Sequence, residues 1–152
     1  MSIKHLLQRR HVPFEVVGHE PSFDAQHLAQ ALQTPGRQVA KTVLIRADHD
    51  YRYIVVVLPA PKSVDLQKLS AFLGGTSVAV ATEKEIIDHC PDCEAGVLPP
   101  FGSHYGAETV VDESLTTDEY IWFEGDTHSE AIRMKYADFY NLEHPLVGSF
   151  AQ

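Results

Sequence analysis

The sequence predicts an α+β fold, a single domain over residues 1–152 built on a mixed, mostly antiparallel β-sheet with flanking helices. Three observations carry this expectation. Two strand-like runs, residues 41–46 and 51–58, flank Asp48-His49-Asp50 and read as a hairpin. Amphipathic helical stretches interleave with hairpins and do not alternate strictly with single strands, which disfavours a doubly wound parallel sheet. No internal repeat, linker or low-complexity tract divides the chain.

Taken in order, Ser2 can cap a first helix that carries Ile3, Leu6 and Leu7 at helical spacing, and Pro13 stops it. Phe14-Glu15-Val16-Val17 reads as a short strand. A second helix is expected from near Asp24, with Ala25, Leu28, Ala29 and Leu32 on one face, ending before Pro35-Gly36. After the hairpin, Leu58-Pro59-Ala60-Pro61 is expected to leave the sheet, because proline has no N–H to give a ladder. Asp65 can cap a helix bearing Leu66, Leu69 and Leu73, closed by Gly74-Gly75. A strand follows over residues 77–80. Thr82 with Glu85 forms a capping-box pattern for a short helix through Ile86 and Ile87. Residues 91–106, rich in Gly and Pro, read as an irregular loop. Strands are expected over 109–111, 120–124 and 131–134, and a last helical turn over 136–142.

The chain has 152 residues and a formal net charge of −9, with ordinary apolar and charged fractions. That length buries a core without metal or disulfide staples. The longest apolar run, residues 53–60, is far short of the ~20 residues of a membrane helix, so no membrane partner is expected. The N-terminal stretch lacks the h-region and cleavage site of a secretory signal. With two cysteines, no disulfide framework is implied, and a reducing cytoplasm suits the chain. A net negative charge argues against wrapping a long nucleic-acid duplex. Acidic residues gather late, at Asp112-Glu113, Asp118-Glu119 and residues 124–126. Bases lie earlier, at Lys4, Arg9, Arg10, Arg37, Lys41 and Arg46. Such a distribution favours gripping one end of a nucleic acid through a few phosphates.

Three local features invite a chemical reading, each beside a plainer one. The loop Gly96-Val97-Leu98-Pro99-Pro100-Phe101-Gly102 combines glycines, which allow close backbone approach, with rigid prolines. Its amides could stabilise a carbonyl or a developing oxyanion, or it could be a tight surface connection. Lys41 opens a strand whose alternate residues Val43 and Ile45 are apolar, so it lines a pocket or snorkels to the rim. His128, in the turn Gly125-Asp126-Thr127-His128, either positions an amine or a water or is a surface turn histidine. Cys90-Pro91-Asp92-Cys93 stands without a second Cys-x-x-Cys or a thioredoxin-like context. It reads as an incidental pair, with redox or metal roles (His89 and His104 being near in sequence) as the alternatives. The other histidines show no ligand spacing.

Gln38-Val39-Ala40-Lys41-Thr42-Val43-Leu44, then Leu58-Pro59, then Gly-x-x-x-Pro-Phe-Gly at residues 96–102, and finally Val111-Asp112-Glu113-Ser114-Leu115 follow one another in this order. In that order and spacing the sequence resembles the YbaK/ProX family of aminoacyl-tRNA deacylases, whose domain is also inserted in bacterial prolyl-tRNA synthetases. The resemblance runs from about residue 24 to 142. It implies a stand-alone trans-editing deacylase that hydrolyses the ester of a mischarged tRNA, with proline tRNA carrying a small amino acid such as Ala or Cys as the expected substrate. Lys41 falls on the family's key lysine, and Gly96 and Pro100 on its glycine-and-proline loop near the aminoacyl end. His128 matches a histidine of the alanine-specific branch and the synthetase-inserted domain. Thr42 is more YbaK-like, since the alanine-specific branch tends to carry asparagine there. The catalytic candidates are Lys41, Gly96 and His128, and Thr42, Pro100, Phe101 and Gly102 are expected to bind substrate. No metal or cofactor is expected. The expected partner is the acceptor end of a mischarged tRNA, and a synthetase partner is left open. No Gly-x-Ser-x-Gly elbow occurs, so direct attack by water is expected. The rival readings are a non-catalytic module that binds an aminoacyl-nucleotide or a synthetase, and a redox or metal protein built on Cys90 and Cys93.

Overall fold

Polar caps start three of the helices where the sequence places them. In the computed structural model, which describes residues 2–21, 25–47, 52–94 and 97–152, the Ser2 side chain accepts from the His5 amide and opens helix α1 (Ile3–Arg9), burying Ile3 and Leu7. Asp65 accepts from the Gln67 and Lys68 amides to open α3 (Leu66–Phe72). Thr82 and Glu85 form the expected capping box of α4 (Glu83–His89). Helix α2 (Ala25–Leu32) buries Leu28 and Ala29, and α5 (Tyr136–Glu143) buries Phe139. The expected helix start at Asp24, the hairpin turn with Tyr51, and Gly96 lie outside the described residues.

The strands are β1 (Phe14–Gly18), β2 (Ala40–Ala47), β3 (Arg52–Pro59), β4 (Val78–Val80), β5 (Glu108–Asp112), β6 (Tyr120–Glu124), β7 (Glu130–Lys135) and β8 (Leu146–Gly148). They form two sheets: an antiparallel β1-β7-β6 and a mixed β4-β2-β3-β5-β8. In the larger sheet β2 pairs antiparallel with β3 and β4, while β5 runs parallel to β3 and β8. A parallel bridge between Val39 and Trp122 joins the sheets.

Strand β3 is buried continuously from Ile54 to Pro59, because both its faces are covered. Val55 and Val57 face a core with Leu44, Phe101, Phe123 and Phe139. Ile54, Val56 and Leu58 face a second core with Leu69 and Phe150. Under α2, Leu28 and Ala29 pack on Val39, Ala60 and Ala131, at the seam between the sheets.

Two outcomes differ from the sequence reading. Strand β3 continues through Pro59, which pairs with Ala40, and the chain does not leave the sheet at Leu58. Across β2 the next ladder bond is Ala60 N–H to Val39 O at 2.9 Å, so the pair at Pro59 needs no proline donor. On the other side, pairing with β5 ends at Val57 opposite Val111. The missing amide therefore falls where no strand calls for it. Strand β8, a short edge segment with Leu146 57% exposed, has no buried alternation to announce it.

Candidate active site

Lys41 is the second residue of β2, opposite Leu58. Alternation puts it on the face of Val43 and Ile45, and Thr42 on the opposite face with Leu44. Half-buried, Lys41 lines a cleft of about 310 Å³ with Gln26, His27 and Gln30 of α2 and with Ala60. A cation thus sits where the helix and the strand end part. Thr42 turns the other way, and its hydroxyl donates to Leu98 O at 2.6 Å.

That bond pins the loop of residues 97–102 to β2. The loop is held from behind as well. Gly102 N–H donates to Thr109 Oγ1 at 2.8 Å, and Thr109 Oγ1 donates to Glu143 Oε1 at 2.7 Å. Glu143 also accepts from the Ser103 amide and hydroxyl, at 2.9 and 2.8 Å. A β-carbon on Gly102 would lie 2.5 Å from Thr109 Oγ1 and 2.7 Å from Glu108 O, so only glycine fits. Phe101, 1% exposed, stacks edge-on with Phe123 and Phe139 and belongs to the core, and Pro100 is buried beside it. Phe101 and Gly102, expected to bind substrate, are placed where they anchor the loop, the ring packed in the core and the glycine tight against β5.

Several loop amides are already used. Val97 N–H donates to Glu94 O, Phe101 N–H to Pro99 O, and Gly102 N–H to Thr109. The prolines have none to give. Among the described residues of 97–102, the Leu98 amide is the one with no recorded partner.

His128 is 5% exposed, which excludes the surface-turn reading. Its backbone N–H donates to Glu94 Oε2 at 2.8 Å, and Glu94 N–H donates to Asp126 O at 2.9 Å. The segment leading into the loop therefore grips the β6–β7 turn. His128 Nδ1 lies 3.5 Å from Glu124 Oε1. Burial pushes the Glu124 carboxyl above its usual range; His128 and His19 pull it back, and Glu94 adds to the rise. The isolated parallel bridge at Val39–Trp122 joins the segment before β2 to β6, the strand that ends at Glu124. Thr42–Leu98 thus ties the loop to β2 on the face away from Lys41, and Glu94–His128 ties the preceding segment to the β6–β7 turn; among the described residues the Lys41 cleft is lined by neither the loop nor His128.

Glu94 and Glu124 escaped the sequence reading. Glu94 directly follows Cys93 in a segment read for its cysteines and as an irregular loop, and Glu124 closes a strand like any solvated carboxylate. The sequence implies no disulfide, whereas Cys90 and Cys93 are joined in one, with Cα atoms 5.4 Å apart. The turn Cys93 N–H to Cys90 O brings them together. Among the described residues no group of three or more His, Cys, Asp or Glu is arranged to hold a metal, and no helix is long and apolar enough to cross a membrane.

A family model for the aminoacyl-tRNA editing domain matches residues 19–142. The chain belongs to the aminoacyl-tRNA editing domain family, and it is a hydrolase of the ester between amino acid and tRNA. It is 26% identical over 149 residues to the multifunctional Ser/Thr-tRNA deacylase ProXp-y of Escherichia coli K12, covering 95% of this chain and 88% of that protein. Its fold matches the crystal structure of a hypothetical protein with a TM-score of 0.87 at 16% identity, over 99% of each chain. It also matches a candidate trans-editing enzyme for prolyl-tRNA synthetase with a TM-score of 0.82 at 20% identity, over 99% of this chain and 94% of that one.

Proposed function

We propose that this chain is a stand-alone trans-editing deacylase that removes a small, wrongly attached amino acid from the acceptor end of a tRNA. The observation that supports the reading is that the residue after Lys41 pins the loop, through Thr42–Leu98, while Glu94 in the segment before the loop holds the buried His128. In this reading the Lys41 ammonium holds a phosphate or ribose oxygen of the terminal nucleotide. The Leu98 amide faces the ester carbonyl and stabilises the oxyanion. His128, kept in place by Glu94 and Glu124, orients the amino acid's amine or the attacking water. Water adds to the carbonyl carbon, the bond to the ribose oxygen breaks, and that oxygen takes up a proton. An ester is activated enough for positioning and carbonyl polarisation to suffice.

The named activity of the Escherichia coli relative supports Ser and Thr as candidate amino acids beside Ala and Cys. The structural neighbour's description supports proline tRNA and a prolyl-tRNA synthetase as the partners to try first. The test is deacylation of proline tRNA and of cognate tRNAs charged with Ala, Ser, Thr, Cys or Pro. At least one small aminoacyl ester should be cleared far faster than by buffer alone. Binding of aminoacyl-tRNA with no acceleration for any member of the panel would leave a binding module in place of an enzyme.

A further inference from the structure

We propose that Cys90 and Cys93 form a thiol–disulfide site that sets the grip of Glu94 on the His128 turn, so that reduction by a small thiol loosens the site. Cys90 caps the end of α4, its N–H bonded to Ile86 O, and the Cys93 N–H returns to Cys90 O, so the disulfide closes a four-residue ring. The next residue, Glu94, makes the two contacts that hold the β6–β7 turn, to Asp126 O and from the His128 amide. The covalent ring thus ends one residue before the joint between loop and histidine. A cavity of about 270 Å³ has both cysteines and Asp126 in its wall, together with His89, His104 and Tyr105. It is large enough for a small thiol to reach the sulfurs.

The exposures give the direction of attack. Cys90 is 5% exposed and Cys93 is half-buried, so an external thiolate meets Cys93 Sγ first. A bond forms between that thiolate and Cys93 Sγ while the Sγ–Sγ bond breaks, its electron pair leaving on Cys90, which takes up a proton. A second thiol attacks the external sulfur of the mixed disulfide and releases Cys93. Two thiols are oxidised to their disulfide as the protein pair is reduced to two thiols. Helix α4 ends at Cys90, so no helix N-terminus stabilises a thiolate there. The pair is therefore suited to sensing thiols and not to oxidising other proteins.

The site itself stands on geometry alone, whereas its effect on catalysis rests on the reading of His128 above. The experiment treats one preparation of the chain with oxidised or with reduced glutathione. Alkylation with N-ethylmaleimide, read by intact mass, counts free thiols; hydrogen exchange reports the His128 amide; single-turnover deacylation reports activity. The oxidised chain should take up no label and the reduced chain two. Freed from a fixed acceptor, the His128 amide should exchange about tenfold faster after reduction. Deacylation should fall several-fold and return on reoxidation, and Cys93→Ser should behave as the reduced chain whatever the glutathione state. Two thiols that oxidised glutathione cannot join, or identical His128 exchange in both states, would overturn the proposal. A clear exchange contrast with no deacylation in either state would support the redox site and sink the deacylase reading instead.

Discussion

At the scale of single residues, identity and environment part company. His128 and Phe101 stand in the same kind of segment, yet one is a buried polar ring beside a carboxylate and the other a core ring among aromatics. His128→Ala removes the ring and leaves the largely buried Glu124 carboxylate without its imidazole neighbour. We expect deacylation to drop ~10²-fold, the lower end for a positioning or general-base group, most steeply for the smallest amino acid. An unchanged rate over the whole amino-acid panel would remove His128 from the site. What the sequence makes legible here is residue type and order: Lys41, Thr42, Pro100 and His128 stand out. Leu98 O and Glu94 do not, because they matter through contacts spanning 56 and 34 positions, which no local pattern carries.

Among the elements, helices were the most legible part of the fold. Three of the starts, at Ser2, Asp65 and Thr82, depend on a side chain that caps an amide within three residues, so the signal is local. Strand pairing is not local, and the parallel insertion of β5 between β3 and β8 has no mark in any one segment. The loop of residues 97–102 is the element on which the site turns. Gly102→Ala forces a methyl against Thr109 Oγ1 and the Glu108 carbonyl. Overpacking against backbone costs ~1–3 kcal/mol, and the displaced loop should lose more activity than stability. Thermal unfolding beside single-turnover deacylation measures both, and a variant matching wild type in each would show that the loop tolerates the methyl.

Across the whole molecule, charge and chain ends are decided together. Asp112, 3% exposed, accepts from the Phe150 and Ala151 amides at 3.0 Å each, and from the amide and hydroxyl of Ser114. Burial alone would raise its carboxyl, but these hydrogen bonds outweigh it and hold the pKa below the usual 3.8. With the folded value below the unfolded one, its stabilisation is complete above about 3.8 and is lost as pH falls through the folded pKa. Asp112→Asn should therefore cost ~1–3 kcal/mol at neutral pH, and the deficit should shrink in acid below that value. A deficit that stays constant from neutral to acid would contradict the assignment. The net charge of −9 sets a second expectation. Binding to uncharged tRNA should be weak and fall steeply with salt, since few cations meet phosphate. Tight binding that ignores salt would contradict an acceptor-end grip.

The most direct measurement is single-turnover deacylation by wild type, Lys41→Ala and Lys41→Arg on a confirmed substrate, with thermal unfolding of all three. Lys41 is half-buried in the α2 cleft, and truncating it should change stability by no more than about 0.5 kcal/mol. Rate should fall ~10²-fold or more for Lys41→Ala, because misplacing the acceptor end by ~1 Å has that cost. Lys41→Arg should also be slow, a planar guanidinium being no substitute for a compact ammonium in a shaped cleft. A folded Lys41→Ala that deacylates at the wild-type rate would contradict the account.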